Sequence, residues 1–133
     1  MWLIEDSATD VFVIKDVLRA CALELDLRVM SDGDSALSLL RSVEDNERSE
    51  APGLILLDLN VPKVHGIEVL SALRKARRCS KAPVIVVTSS DSPSDLKAIR
   101  DLGVKAYFKK PQDLDEFMKL TDVIKMVLNT ARE

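Results

Sequence analysis

The chain has 133 residues, 47% of them hydrophobic, and a net charge of −3 from 22 acidic and 19 basic side chains. That length suits one domain, and that apolar content buries a core, which excludes a disordered polar chain. The acidic balance argues against a nucleic-acid surface, which is as a rule basic. No apolar stretch approaches the ~20 residues needed to span a bilayer, and the N-terminus lacks a basic stretch followed by an apolar segment, so it does not read as a secretory signal.

The elements alternate. Trp2–Ile4 reads as a strand that ends in Glu5-Asp6. Ser7-Ala8-Thr9-Asp10 gives a Ser N-cap with an acid three residues on, a variant of the capping box. The spacing of Val11, Ile14, Val17, Leu18 and Cys21 predicts a helix to about Glu24. A second strand, Leu27–Met30, leads through an Asp32-Gly33 turn into a helix from about Asp34 to Val43, with Ala36, Leu37, Leu39 and Leu40 inward. Residues 44–53 are polar, mostly acidic, and read as a solvated connection. The unbroken run Leu54-Ile55-Leu56-Leu57 is the signature of a strand buried on both faces, and it ends at Asp58.

A helix starts near Gly66, carries Ile67, Val69, Leu70 and Leu73 inward, and reaches about Arg77. Arg74, Lys75, Arg77 and Arg78 cluster at its C-terminus, where the helix dipole favours cations. In an acidic chain that reading is preferred to a phosphate-tracking patch. Val84–Val87, entered through Pro83, is a fourth strand and ends in Thr88. Ser92-Pro93-Ser94-Asp95 places Ser at the N-cap and Pro at the first position of a helix that Gly103 terminates. A fifth strand, about Lys105–Phe108, is broken by Lys110-Pro111, and the last helix is expected as one piece from about Asp113 to Ala131. Its stripe of Leu114, Phe117, Leu120, Val123, Ile124, Val127 and Leu128 is broader than one buried face requires, so part of it is expected to meet a partner or a second copy.

Cys21 and Cys79 belong to no CxxC pair and read as reduced thiols. The one histidine, His65, cannot supply a zinc cluster and reads as a loop residue. Five βα units leave no room for an eight-stranded barrel. Right-handed crossovers then predict an α/β fold: a parallel sheet with helices on both faces, in a single domain over residues 1–133 with no room for an output domain. Ligands of such sheets bind at the C-terminal ends of the strands, which is where Glu5, Asp6, Asp58, Thr88 and Lys110 fall.

Glu5, Asp6 and Asp58 converge if the first and third strands are neighbours. Three ionised carboxylates at close range repel, so one protonates or a cation neutralises them. All-oxygen donors suit Mg²⁺, and the backbone carbonyl of Asn60 is a further candidate ligand. Lys110 as a cation and Thr88 as a hydroxyl donor complete either a structural ion cluster or a site that holds a phosphoryl group, with Asp58 as its nucleophilic carrier.

The segments Leu3-Ile4-Glu5-Asp6-Ser7, Leu56-Leu57-Asp58-Leu59-Asn60-Val61-Pro62, Gly66, Val86-Val87-Thr88-Ser89 and Tyr107-Phe108-Lys109-Lys110-Pro111 together resemble a receiver domain of bacterial two-component response regulators. The spacings agree as well, 30 residues from Asp58 to Thr88 and 52 from Asp58 to Lys110, and the likeness covers nearly the whole chain. The resemblance implies the five-stranded (βα)5 flavodoxin-like fold and a cytoplasmic phosphorelay switch. In that switch Asp58 accepts phosphoryl from a histidine kinase or phosphotransfer protein. The metal ligands would be Glu5, Asp6, Asp58 and Asn60 around Mg²⁺, and Thr88 and Lys110 would bind the phosphoryl group. Lys110 is preferred to Lys109 because the family's lysine directly precedes the proline, through a bond that is usually cis. Thr88 and Tyr107 would form the switch, altering the face of the fourth helix, fifth strand and last helix, which meets a downstream protein or forms a homodimer. Such a domain is no enzyme beyond its own phosphorylation and dephosphorylation, and it needs neither nucleic acid nor membrane.

The departures are Glu5 in place of Asp and the loop Pro62-Lys63-Val64-His65-Gly66, where many members carry Met and Asp before the Gly. Asp-Leu-Asn and the long acidic loop resemble the subset of cyanobacterial phytochrome-associated regulators. A rival, the haloacid-dehalogenase type of phosphatase, needs an acid/base Asp where this chain has Asn60, which cannot serve.

Overall fold

A computed structural model describes residues 1–23 and 26–131. The strands are β1 (Trp2–Ile4), β2 (Arg28–Met30), β3 (Ile55–Leu57), β4 (Val84–Thr88) and β5 (Ala106–Lys109). The helices are α1 (Ala8–Ala20), α2 (Gly33–Asp45), α3 (Gly66–Lys75), α4 (Pro93–Asp101), α5 (Leu114–Phe117) and α6 (Leu120–Ala131). All strand pairs are parallel, in the order β2-β1-β3-β4-β5. The α/β class and flavodoxin-like topology expected from the sequence are therefore observed.

Alternation along each strand divides the core in two. Trp2, Ile4, Ile55, Leu57, Val84 and Val86 pack on one face with Ala36, Leu40, Val69, Leu70, Leu73 and Ile99 from α2, α3 and α4. Leu3, Leu56, Ile85 and Val87 pack on the other with Ile14, Val17 and Leu18 of α1 and Phe117, Leu120, Ile124 and Val127 of α5 and α6. Because both faces are covered, β1, β3 and β4 are buried along their whole length. The register sets Ile4 beside Leu57 and Leu57 beside Val86, so the chain leaves these three strands at one level.

Several boundaries differ from expectation, each for a local reason. The first helix ends at Ala20, with Cys21 as C-cap; the expected end at Glu24 lies outside the described residues. Ala22 adopts φ 57°, and the bonds from Ala22 N to Arg19 O and from Leu23 N to Leu18 O form a Schellman motif around it. Gly103, at φ 68°, closes α4 in the same way, with bonds from its own N to Arg100 O and from Val104 N to Ile99 O. Asp32 is no free turn residue: its carboxylate caps α2, accepting from Ser35 N at 2.6 Å. The last helix is broken at Met118–Lys119, where bonds from Lys119 N to Glu116 O and Thr121 N to Met118 O tighten the turn. At three residues per turn, positions i and i+3 eclipse, which lets Phe117 and Leu120 both face the core. Val123, Ile124, Val127 and Leu128 all join that core, so only Leu114 of the predicted stripe stays exposed, at 57%.

Residues 44–53 are mostly exposed, as expected, while Arg74 and Arg78 of the basic cluster also bind rows of backbone carbonyls. Arg74 donates to Leu102 O (2.8 Å), Ser80 O (3.1 Å), Ala82 O (2.9 Å) and Gly103 O (3.2 Å). Arg78 donates to the carbonyls of Val43, Ser49 and Asn46, while Glu44 accepts from Arg78 N at 2.8 Å and Cys79 N at 3.1 Å. Burial, with Glu44 beside it, pushes the Cys79 thiol up to about 11, which keeps it a protonated, inert core residue. None of the described helices is long and apolar enough to cross a membrane.

Two outcomes follow. Ala22→Gly removes the steric cost of φ 57° and raises stability by about 1 kcal/mol in urea denaturation; an unchanged midpoint contradicts this reading of the helix end. Arg74→Met keeps the aliphatic stem but strands four carbonyls, and is expected to lose about 2 kcal/mol or more.

Candidate functional site

The three strand ends deliver their side chains to one place. Glu5 N bonds to Met30 O at 2.9 Å, Asp58 N to Ile4 O at 2.9 Å, and Lys110 N to Thr88 O at 2.9 Å, so each residue still belongs to the sheet's hydrogen-bond ladder. Glu5, Asp58 and Thr88 are buried, at 1%, 5% and 0% exposure, whereas Asp6 is exposed. Lys110 Nζ reaches Glu5 Oε1 at 2.5 Å, Asp10 Oδ2 at 2.8 Å and Asp58 Oδ2 at 2.9 Å. Lys109 points elsewhere and pairs with Asp91 at 2.6 Å.

Asp58 is held on all sides. Its Oδ1 accepts from Asn60 N at 3.1 Å and its Oδ2 from Lys110. The loop behind it is pinned by Gly66, whose N donates to Leu59 O at 2.8 Å; a Cβ there would lie 2.5 Å from Leu59 Cα and 2.7 Å from Asp58 O. The same loop holds Lys63 at φ 71°, in a γ-turn closed by Val64 N to Pro62 O at 2.9 Å, and Pro62 O also accepts from Gly33 N at 3.0 Å. A Cβ on Gly33 would lie 2.0 Å from Val64 O, so α2 abuts this loop directly. A left-handed non-glycine residue of this kind costs on the order of 1–3 kcal/mol and persists only where its surroundings over-determine it. His65, exposed, caps α3 through Nδ1, which accepts from Ile67 N at 3.1 Å.

The electrostatics follow from crowding. Burial, reinforced by the Asp58 charge and opposed by Lys110, pushes Glu5 up to about 7. Burial also acts on Asp58, but Lys110, the Asn60 N–H and the Thr88 hydroxyl outweigh it and hold that carboxyl below the usual range. Lys110 is raised, because its contacts to Asp10, Glu5 and Asp58 outweigh its own burial. Glu5 Oε1 is buried, and its one close polar partner among the described residues is the Lys110 ammonium. Ligand oxygens of Glu5, Asp6 and Asp58 all lie within 4.8 Å of one another. An all-oxygen set of this span, beside one ammonium that three carboxylates share, fits a hard divalent cation.

The neighbouring loop is tied to β5. Tyr107, half-buried, donates its hydroxyl to Ser90 O at 2.7 Å, Ser90 N donates to Thr88 Oγ1 at 3.2 Å, and Ser90 Oγ donates to Asp95 Oδ2 at 2.5 Å. Sequence reasoning missed Asp10, Ser90 and Asp91. Asp10 carried a signal, since an acid in the first turn of α1 stands beside the end of β1, but it was read only as part of a cap. The Lys110–Pro111 bond is trans, as are all peptide bonds among the described residues, where the resemblance implied cis. The two X–Pro isomers differ by only about 0.5–1 kcal/mol intrinsically, and the Lys110 N to Thr88 O bond is made with the trans form.

A parallel five-stranded sheet gathers acids, a hydroxyl and a lysine at its C-terminal edge, the arrangement of a signalling receiver. The family model described as "Response regulator receiver domain" matches residues 1–122, and the chain belongs to that family. It is 34% identical over 122 residues to Response regulator Rcp1 of Synechocystis sp., covering 92% of this chain and 83% of that one. It is 32% identical over 129 residues to the polar-differentiation response regulator DivK of Brucella ovis, covering 97% and 95%. The crystal structure of the Mn²⁺-bound form of Rcp1 superposes with a TM-score of 0.82 over 93% of this chain and 89% of that one, at 34% identity. That of the phosphorylated cyanobacterial phytochrome response regulator RcpA gives 0.85 over 98% and 93%, at 28% identity. The chain is thus a response regulator receiver domain that resembles the phytochrome-associated regulators.

A raised Glu5 has a definite pH sign. The folded protein binds this proton more tightly than the unfolded chain does, so metal-free stability falls as pH rises from about 4.5 to about 7 and then levels. Urea midpoints of wild type and Glu5→Gln are expected to diverge across that window, with only the wild type losing its Glu5 contribution; parallel curves contradict the assignment.

Proposed function

We propose that the protein is a phosphorylation-activated switch of a two-component or phosphorelay system. Asp58 is its phosphoacceptor, and a sensor histidine kinase or a phosphotransfer protein is its donor. The observation that carries this reading is that one carboxylate, Asp58, belongs both to the Glu5–Asp6–Asp58 donor set and to the contacts of Lys110, 2.9 Å away. The transfer is a displacement at phosphorus. A carboxylate oxygen of Asp58 forms the new O–P bond, the P–N bond to the donor's imidazole breaks, and the leaving nitrogen keeps the electron pair.

Glu5, Asp6, Asp58 and the backbone carbonyl of Asn60 would hold Mg²⁺, which neutralises charge on the phosphoryl oxygens. Lys110 supplies a compact cation to one of those oxygens and Thr88 a hydroxyl donor to another. The Mn²⁺-bound form of Rcp1 and the phosphorylated form of RcpA support both halves of this reading by similarity.

The phosphoryl group adds charge and acceptors beside Thr88. Its hydroxyl, which accepts from Ser90 N, turns toward the new oxygens and draws the β4–α4 loop with it. Tyr107 is bonded to Ser90 O in that loop, so its ring responds to the same movement. The face built from α4, β5 and the last helix, split here into α5 and α6, then changes its surface, where Leu96 and Leu114 are 37% and 57% exposed. A downstream protein or a second copy of the chain reads that face in the cytoplasm.

Incubation with phosphoramidate and Mg²⁺, followed by intact mass, tests the acceptor role with a small P–N donor. The wild type is expected to gain one base-labile phosphoryl group, Asp58→Asn none, and Lys110→Ala a sharply reduced yield. A wild type that gains nothing, or an Asp58→Asn protein that gains as much, defeats the proposal.

A further inference from the structure

Lys110 has three N–H donors and meets three carboxylates, from Glu5, Asp10 and Asp58. Two of these, Glu5 and Asp58, belong to the convergent donor set; Asp10 does not, and neither its role nor its contact follows from the motif residues. Asp10 sits in the first turn of α1, with its N–H bonded to Ser7 Oγ at 3.2 Å, so its carboxylate projects from a fixed helix end and is 27% exposed.

We propose that Asp10 is a positioning residue: it holds the Lys110 ammonium beside Asp58 when a divalent cation takes the Glu5, Asp6 and Asp58 carboxylates. This rests on the phosphoacceptor reading above and names a component of the same site. A cation and an ammonium cannot share the same two carboxylates without repulsion. Asp10 is the partner left over for Lys110, at a point that still lies beside Asp58. Without it, the ammonium falls back wholly on Glu5 and Asp58 and competes with the incoming cation. The effect of Asp10 on the cation therefore runs through Lys110, and does not require Asp10 to touch the metal.

A double-mutant cycle read by metal binding separates these routes. The full chain, unphosphorylated, is titrated with Mn²⁺, and the free ion is counted by its electron paramagnetic resonance signal. Asp10→Asn is expected to weaken Mn²⁺ binding roughly tenfold when Lys110 is present, the scale on which partners of a metal's ligands act. In the Lys110→Met background the same substitution is expected to change binding by less than about twofold. Asp10→Glu, which restores a carboxylate at that helix end, recovers most of the loss and guards against a mere folding defect.

Equal losses in both backgrounds mean that Asp10 acts on the cation directly, and overturn the inference; so does a wild-type affinity in Asp10→Asn. A wild type that binds no Mn²⁺ overturns both this inference and the metal component of the proposed function. Binding without coupling to Lys110 overturns this inference alone, and the phosphoramidate experiment then still stands as the separate test of the acceptor.

Discussion

Three carboxylates, those of Glu5, Asp10 and Asp58, surround a single ammonium, Lys110, and a fourth, Asp6, converges on Glu5 and Asp58. That imbalance of charge is what the site is made of. Lys110 is carried on the chain just past β5, with β3 and β4 lying between it and β1, so the ion cluster exists only when the sheet is assembled in the order β1-β3-β4-β5. Within it, burial pushes Glu5 up, while burial at Asp58 is outweighed by Lys110, the Asn60 N–H and the Thr88 hydroxyl, which hold that carboxyl down. The cluster is over-supplied with negative charge, and a divalent cation would answer that imbalance.

The support around the cluster is backbone against backbone at Asp58 and side-chain contacts at the β4–α4 loop. Gly66 and Gly33 let backbone approach backbone behind Asp58, and the γ-turn at Lys63 is clamped by Pro62 O, which accepts from both Gly33 and Val64. The β4–α4 loop is fixed instead by side-chain contacts: Tyr107 to Ser90 O, Ser90 to Asp95, and the exposed pair Lys109–Asp91. Of these, the exposed Lys109–Asp91 pair contributes little and can be exchanged at small cost. At the far end of the sheet Arg74 and Arg78 gather seven carbonyls between them and hold the C-terminal ends of α2 and α4.

What the sequence disclosed follows the same physics. The apolar runs ending in Glu5-Asp6, Asp58 and Thr88 announce buried parallel strands and their functional edge, because burial on both faces leaves no alternation to confuse. Gly103 announces its helix end; Ala22 adopts the same backbone conformation without a glycine and hides it. The break at Met118–Lys119 has no Gly or Pro to mark it and arises from packing Phe117 and Leu120 on the same core. The contact of Asp10 and the carbonyl contacts of Arg74 and Arg78 are hidden in the sequence for one reason. A charged side chain on a helix looks solvated until the tertiary fold brings it to Lys110 or to a row of carbonyls.

The account stands most directly on a map of backbone amide shifts upon phosphorylation with phosphoramidate and Mg²⁺. It predicts changes concentrated at Asp58–Asn60, Thr88–Asp91, Tyr107 and Lys109–Lys110, with little change at the carbonyl network of Arg74 and Arg78. A spectrum that stays still under a phosphorylated mass, or that moves chiefly at the opposite end of the sheet, contradicts it.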